Sequence, residues 1–295
     1  MRVSFSGAGF LGAFHLGVGD ALVRARALES RFEIAGASAG AIVGAVLATE
    51  TPVEVAREAL RTLVEKSRTA GRLGILTPGF SLVDDVRNQL SLRLPSDAHR
   101  MATGRLHVAL TSIRPGPKFG HVYHKSSFGS RDELVDAVSS SSDIPGITGL
   151  VRSSVKAVDS ADLHYDRQPG ESAQRWLQAL TCRRDVDGGL FDIFPDPWDG
   201  AHEVVFVSPF AGRGFAIAPV RQPSAPTIPE WSPIASSKNG RQVELSVANA
   251  TRWRDAFFPP GLAALEAYER EGCERCNRWL LAQRSAASSQ PMLRT

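Results

Sequence analysis

The sequence predicts an α/β fold with a mainly parallel central sheet flanked by helices. Two consecutive units of strand, glycine loop and helix at the start of the chain predict it, because strands that alternate with helices form parallel sheets. The chain has 295 residues, of which 43% are hydrophobic and 22% charged. That composition is typical of globular proteins and excludes the disordered, collagen-like and coiled-coil classes.

The first unit consists of a short strand over residues 2–6, a loop from Gly7 to Gly12, and apolar residues at helical spacing. A Gly-x-Gly-x-x-Gly loop in this position is typical of dinucleotide-binding proteins. Gly36-Ala37-Ser38, however, occupies the place where such a protein needs an acidic residue for the ribose. Two other interpretations stay open: the loop amides stabilise an oxyanion, or the glycines permit close helix packing.

The second unit carries the clearest candidate for chemistry. A strand over residues 32–35 leads into Gly36-Ala37-Ser38-Ala39-Gly40 and an apolar helix. Gly-x-Ser-x-Gly between a strand and a helix is typical of a nucleophile elbow. The glycines permit a crowded turn, and the helix directs its positive end at developing negative charge. Ser38 is therefore the predicted nucleophile, with tight helix packing as the alternative reason for these small residues.

Capping patterns and apolar runs predict the later elements. Thr51-Pro52-Val53-Glu54 predicts a helix with Thr51 as N-cap that runs to about Lys66. Ser130-Arg131-Asp132-Glu133 predicts a second capping box. Residues 106–110 and 204–207 are the best later strands. They extend the α/β core to about residue 210.

The remaining segments differ in composition from this core. Residues 153–184 are polar without clear periodicity, and residues 213–240 are a connector rich in Pro, Ser and Gly. After it, apolar residues from Leu262 to Trp279 share one face of a predicted C-terminal helix. We therefore expect a catalytic domain over residues 1–210, and a connector with a helical extension over 211–295 that packs on the core.

A carboxylate is the predicted base for Ser38. Asp187 ends a strand and precedes Gly188 and Gly189, which let the chain turn sharply. An aspartate normally titrates near about 3.9, so it needs an apolar, partly closed pocket to act as a base. His202 lies in a polar turn and is the weaker candidate. The rival carboxylates lack the double glycine: Asp159, Asp162, Asp166 and Asp185.

Three motifs occur in order: the glycine loop from Gly7 to Gly12, the pentapeptide from Gly36 to Gly40, and Asp187-Gly188-Gly189. Together they resemble the patatin-like phospholipase family, and within it the adiponutrin and adipose triglyceride lipase branch. The likeness continues through the segment from Ser130 to Ser141, Ile144 and Pro145, through Val207 to Phe210, and through Phe257 to Pro260 with the following helix. The resemblance implies Ser38 as nucleophile and Asp187 as its base. It also implies that the backbone amides of Gly7, Ala8 and Gly9 form the oxyanion hole. The other motif glycines are Gly12, Gly36, Gly40, Gly188 and Gly189.

The same resemblance implies a serine lipid acyl hydrolase, like a triacylglycerol lipase or phospholipase, that needs no cofactor. Its substrate would be an acylglycerol or a phospholipid, reached by peripheral contact with a membrane or lipid-droplet surface. The acyl-serine intermediate would be released by water, or by an acceptor alcohol in a transacylation. The alternatives are an acylglycerol transacylase and a catalytically weak or inactive lipid-binding or regulatory protein.

Charge and cysteine content exclude other classes. A formal charge of +3 without long runs of like charge gives no support to nucleic-acid binding. Three cysteines in a chain of this size favour a reducing compartment, and Cys273-x-x-Cys276 lacks a second ligand pair for zinc. The longest uncharged apolar run, residues 34–49, is shorter than the ~20 residues of a membrane span. With no leader pattern at Met1, we expect a cytoplasmic protein.

Overall fold

The computed structural model describes residues 1–28, 32–70, 81–113, 120–144, 184–190, 192–199, 203–222, 224–228 and 240–288. The strands in these ranges are β1 (Arg2–Phe5), β2 (Glu33–Gly36), β3 (Leu106–Ile113), β4 (Gly120–Lys125), β5 (Arg184–Asp187), β6 (Val204–Val207), β7 (Gly212–Arg213) and β8 (Gln242–Val243). The helices there are α1 (Gly12–Arg24), α2 (Ala39–Ala48), α3 (Val53–Thr69), α4 (Leu82–Arg93), α5 (Ala98–Ala102), α6 (Arg131–Ser140), α7 (Val247–Phe257) and α8 (Leu262–Ser288). Two short 3-10 turns, Gly9–Leu11 and Gly188–Leu190, accompany them.

One mixed sheet organises the fold. Its strands lie in the order β4, β3, β2, β1, β6, with β5 added alongside β3. The pairs β1 with β2, β1 with β6 and β2 with β3 are parallel, whereas β3 pairs antiparallel with β4 and β5. Helix α2 packs directly on the parallel strands, and α1 and α6 pack on α2. The predicted fold class, a mostly parallel sheet flanked by helices, is confirmed.

Strand β3 brings two distant parts of the chain together. Strand β4 occupies one side of β3 over Val108 to Ile113. The other side pairs with β2 up to Gly36 opposite Val108, and with β5 down to Asp187 opposite Leu110. Since β2 and β5 approach along the same side from opposite directions, their carboxyl ends meet beside Ala109. The fold therefore places the residues that follow β2 next to those that end β5.

The two predicted helix starts have different outcomes. Ser130 caps α6, and its hydroxyl accepts the Glu133 amide at 3.1 Å, which confirms the capping pattern. The predicted N-cap of α3 is wrong by one residue, because Pro52 has extended backbone angles and is itself the cap. The Thr51 hydroxyl lies 2.9 Å from that of Thr49 and caps nothing.

The C-terminal helix α8 lies tightly against α1. A Cβ atom at Gly17 of α1 would overlap the Glu269 carbonyl, and one at Gly272 of α8 would overlap the Phe14 carbonyl. Only glycine permits two backbones to approach so closely. Leu265 and Cys276 are buried on the same face of α8. The predicted apolar face is therefore the one that packs.

Within the described ranges, every helix is too short or too polar to cross a bilayer. The polar excursion predicted at 153–184 lies outside these ranges except for Arg184, the first residue of β5. Of the connector predicted at 213–240, residues 223 and 229–239 lie outside these ranges as well.

Candidate active site

Ser38 lies in the turn between β2 and α2, and its backbone has φ +53° and ψ −124°. Residues other than glycine rarely adopt such angles, and they do so mostly at functional sites. A Cβ at Gly36 would overlap the Gly40 carbonyl, and a Cβ at Gly40 would overlap the Phe5 carbonyl of β1. Both glycines of the pentapeptide are therefore required by the crowded turn. The partly exposed Ser38 stands at the N-terminus of α2.

Asp187 ends β5 and is only 3% exposed. Its Oδ1 accepts the Gly189 amide at 2.6 Å, and the Ser38 side chain is close enough to lower the pKa of the carboxyl. A Cβ at Gly188 would overlap the backbone of Ala109. The first glycine after Asp187 thus permits close contact with β3, and the second supplies an amide to the carboxylate. The structure places the predicted nucleophile and the predicted base side by side at one end of the same cavity.

The surroundings of Asp187 favour its protonated form. The pKa of this carboxyl is raised to about 7, chiefly by burial and to a smaller extent by the negative charge of Asp143. The hydrogen bonds from the Gly189 amide and the Ser38 hydroxyl lower the pKa, but by less than burial raises it. A carboxylate that titrates near neutral pH is suited to accept and return a proton.

Ser141 supports the turn from below. Its fully buried hydroxyl accepts the Ser38 amide at 2.9 Å and donates to the Ala109 carbonyl at 2.7 Å. One hydroxyl thereby ties the strained turn to β3, beside the point where Asp187 arrives. Ser141 belongs to the segment that resembles the family, but the resemblance assigns it no role. No local pattern around Ser141 indicates that it contacts Ser38.

The glycine loop offers fewer free donors than predicted. The Gly7 amide donates to the Ile193 carbonyl at 2.9 Å, so in this structure it is already engaged. Among the described residues, no acceptor contacts the amides of Ala8, Gly9 or Ala39. The sequence analysis missed Ala39, although the residue after an elbow nucleophile commonly provides an oxyanion donor.

Two loop glycines pack closely against other elements. Gly9 has φ +52°, and a Cβ there would overlap the Ala256 carbonyl of α7. A Cβ at Gly12 would lie 3.2 Å from that of Ala39. The packing interpretation of the loop therefore holds at Gly9, where both the angle and the space require glycine.

An apolar cavity of about 330 Å³ begins at Ser38 and Asp187 and extends between α2, α3 and α4. Along α2 it follows Ser38, Ile42 and Val46, which lie one above the other over roughly 12 Å at 1.5 Å per residue. Its volume is within the range of small-molecule sites. The helices α3 and α4 contribute mostly aliphatic lining: Val55, Ala56, Ala59, Leu60, Leu63, Leu82, Val86 and Leu90, with Gln89 and Arg93. Such a cavity fits an extended hydrocarbon chain.

The rival carboxylates and the cysteine pair have other positions. Asp185 accepts the Tyr123 hydroxyl at 2.8 Å. Asp159, Asp162, Asp166 and His202 lie outside the described residues. Cys273 and Cys276 lie on α8, and the described part of the chain contains no cluster of three metal-ligating side chains.

The histidine nearest to the glycine loop is a core residue. His15 is fully buried, and its Nε2 lies 2.9 Å from the Ser6 carbonyl. Burial lowers its pKa to about 4, so the ring is neutral at physiological pH. Its bond to the backbone of Ser6 holds the ring in the core, whereas the carboxyl of Asp187 is the titratable group that lines the cavity with Ser38.

A serine on a strained strand-to-helix turn, a buried carboxylate beside it and an apolar cavity are typical of enzymes that transfer acyl groups through serine. A family model described as patatin-like phospholipase matches residues 3–195. The chain therefore belongs to the patatin-like phospholipase family, whose members act on lipid acyl groups.

Individual relatives cover most of the chain. It is 30% identical to human patatin-like phospholipase domain-containing protein 4 over 96% of this chain and 97% of that protein. It is 31% identical to mouse patatin-like phospholipase domain-containing protein 2 over 98% of this chain, which spans 51% of that relative's length. It is also 31% identical to human 1-acylglycerol-3-phosphate O-acyltransferase PNPLA3 over 72% of this chain and 38% of that protein. These likenesses confirm the predicted branch, which includes adiponutrin.

Proposed function

We propose that this chain is a serine lipid acyl hydrolase that cleaves fatty-acyl esters, with Ser38 as nucleophile and Asp187 as base. The observation that carries the proposal is the position of Ser38 beside the buried Asp187 carboxyl, at one end of an apolar cavity. Family membership supports a lipid substrate. The substrate class that fits is an acylglycerol or phospholipid, with its acyl chain in the cavity.

In the first half of the reaction, Asp187 takes the proton of Ser38 as the oxygen attacks the ester carbonyl. Free amides of the glycine loop and of Ala39 are the candidate donors to the resulting oxyanion. As the carbon-oxygen bond to the alcohol breaks, Asp187 returns the proton to the departing oxygen. The products are the free alcohol and an acyl-serine ester. Because its pKa is about 7, Asp187 is suited to both proton transfers.

In the second half, Asp187 takes a proton from an incoming water molecule, whose oxygen attacks the acyl-serine ester. The tetrahedral intermediate collapses, the proton returns to the Ser38 oxygen, and a fatty acid leaves. When the incoming group is an alcohol, the same steps yield a new ester. This second outcome is favoured by one observation, the likeness to a relative named as an O-acyltransferase. Transacylation is therefore our second candidate function.

Labelling with a fluorophosphonate probe tests the nucleophile. We expect labelling of the wild-type protein and none of Ser38→Ala, and release of fatty acid from a short-chain p-nitrophenyl ester by the wild type alone. Ser6→Ala provides a matched control, because Ser6 is a buried serine on the neighbouring strand end. Activity retained by both Ser38→Ala and Asp187→Asn contradicts the proposal. An unlabelled wild type supports a non-catalytic lipid-binding protein instead.

Product analysis separates the two candidate functions. The wild-type protein is incubated with a diacylglycerol emulsion, and the products are separated by mass. Free fatty acid with monoacylglycerol indicates hydrolysis, whereas triacylglycerol with monoacylglycerol indicates transfer between two substrate molecules. Ser38→Ala must abolish either product, since both pass through the acyl-serine.

We infer further that residues 1–210 form the catalytic unit and that 211–295 are an extension packed on it. The family match ends at residue 195, which supports a boundary near this point. Close packing of α8 on α1 and of α7 on the glycine loop supports the idea that the extension stabilises the unit. A chain ended after residue 210 is expected to be insoluble, because the apolar surface of α1 loses its cover.

A further inference from the structure

An exposed apolar corner lies beside the entrance of the cavity. It consists of Phe257, Phe258 and Leu262, where α7 ends and α8 begins, and these side chains are 37%, 52% and 38% exposed. Phe257 also lines the cavity. Gly9 packs against Ala256, the residue before Phe257, and it also lines the cavity and is exposed. The cavity therefore opens next to the corner, and Phe257 belongs to both.

Buried neighbours hold the corner in place. Trp253 stacks on the buried Phe210 with ring centroids 4.1 Å apart, and on Phe257 with centroids 6.1 Å apart. Pro259 and Pro260 follow Phe258 and restrict the backbone of the short link to α8. Packing against these neighbours therefore holds the apolar side chains of the corner in their exposed positions. Large exposed apolar groups beside a binding cavity commonly mark an interaction site.

Exposed arginine side chains beside the corner indicate which kind of surface the corner contacts. Arg68, at the end of α3, is exposed, and its guanidinium lies 3.8 Å from the position of a Cβ at Gly261 in the corner's link. Among the described residues, no acidic group pairs with Arg68. Arg254 is also largely exposed, although it pairs with Asp255. Apolar side chains next to cationic groups fit the surface of an anionic lipid layer.

We propose that this corner inserts into the surface of a lipid aggregate that carries anionic headgroups, and so brings the cavity entrance to its substrate. The inference rests on the proposed function, because a lipid ester held in an aggregate must move from that surface into the cavity. Phe258 and Leu262 enter the apolar layer, and Arg68 contacts the headgroups. The occupant of the corner is thus a lipid surface.

Vesicle co-sedimentation tests the insertion. The probes are vesicles of phosphatidylcholine alone and of equimolar phosphatidylcholine and phosphatidylserine. We expect Phe258→Ser to weaken binding to the mixed vesicles about tenfold, from the loss of a half-exposed phenyl group at the interface. Arg68→Gln is expected to weaken binding to the mixed vesicles about fivefold and to leave binding to neutral vesicles unchanged. Leu281→Ser, another exposed leucine of α8, is the matched control and should bind as the wild type does.

Two further measurements distinguish the binding of the corner to lipid from the hydrolysis reaction. Hydrolysis of a soluble short-chain p-nitrophenyl ester should be the same for Phe258→Ser and wild type, while hydrolysis of a long-chain p-nitrophenyl ester incorporated in mixed vesicles falls. Ser38→Ala should bind vesicles like the wild type, so the binding result stands even when no hydrolysis is found. Unchanged vesicle binding by Phe258→Ser, or an equal loss in Leu281→Ser, overturns the proposal. So does a wild-type dimer in sedimentation velocity that Phe258→Ser converts to monomer, since the corner is then an interface between two copies.

Discussion

Replacing Asp187 by asparagine is expected to stabilise the folded protein at pH 8, although it removes the proposed base. The buried carboxyl has a pKa of about 7 in the folded protein, against an ordinary value of 3.8. Between these two values the folded state binds more protons than the unfolded state. The free energy of unfolding therefore decreases as the pH rises from about 4 to about 7. Asparagine has the same shape, and it never ionises.

The size of the effect follows from the two pKa values. Since one pH unit corresponds to about 1.4 kcal/mol, the ionised carboxylate costs the folded state roughly 4 kcal/mol at pH 8. Asp187→Asn is expected to recover most of this free energy. Little difference from the wild type should remain at pH 4, where Asp187 is protonated in the folded protein.

Urea unfolding at pH 4, 6 and 8, followed by tryptophan fluorescence, measures the free energies. The difference between variant and wild type should grow steadily with pH, because other titrating groups contribute equally to both proteins. Asp97→Asn is the control: Asp97 is exposed, and its side chain caps no helix amide. Its difference from the wild type should be small at every pH. If Asp187→Asn is no more stable than the wild type at pH 8, the carboxylate is not held in a desolvated site and the reasoning fails.

Four other changes test the site. Ser141→Ala should lower kcat about tenfold with little change in KM, and Ser141→Thr should retain more activity, because its hydroxyl can still accept the Ser38 amide. Gly40→Ala should yield no stably folded protein in a thermal scan, since its methyl overlaps β1. Ala59→Phe should reduce kcat/KM for long-chain esters and spare short-chain ones, because it fills the cavity beyond the site. The pH-rate profile of the wild type should fall below pH 7 as Asp187 gains a proton, and Asp143→Asn should move this fall to lower pH.

Local patterns predicted the local parts of this molecule well. The strand over residues 204–207 and the cap at Ser130 are present in the structure. Both depend on near neighbours in the chain: the strand on a short apolar run, and the cap on a serine hydroxyl that accepts the amide three residues later. The prediction of Thr51 as the N-cap of α3 was wrong for a reason that is also local. Pro52 took extended angles, so the helix began one residue later than the capping pattern predicts.

The local sequence of the glycine loop did not determine the role of its glycines. Its sequence left open a nucleotide site, an oxyanion hole and close packing as explanations. Close packing at Gly9 depends on Ala256, almost 250 residues away in the chain, and the engaged amide of Gly7 depends on Ile193. No sequence pattern near the loop indicates either contact. The sequence could not decide which amides are free.

The sequence by itself determined the turn at Ser38, because the crowding that requires Gly36 and Gly40 arises within a few residues of the serine and at the neighbouring strand. Only the tertiary structure decided that Asp187 lies beside this serine. That placement requires β2 and β5 to share one side of β3 and meet at Ala109. The pKa of Asp187 is likewise a tertiary property, since it comes from burial among elements far apart in the chain.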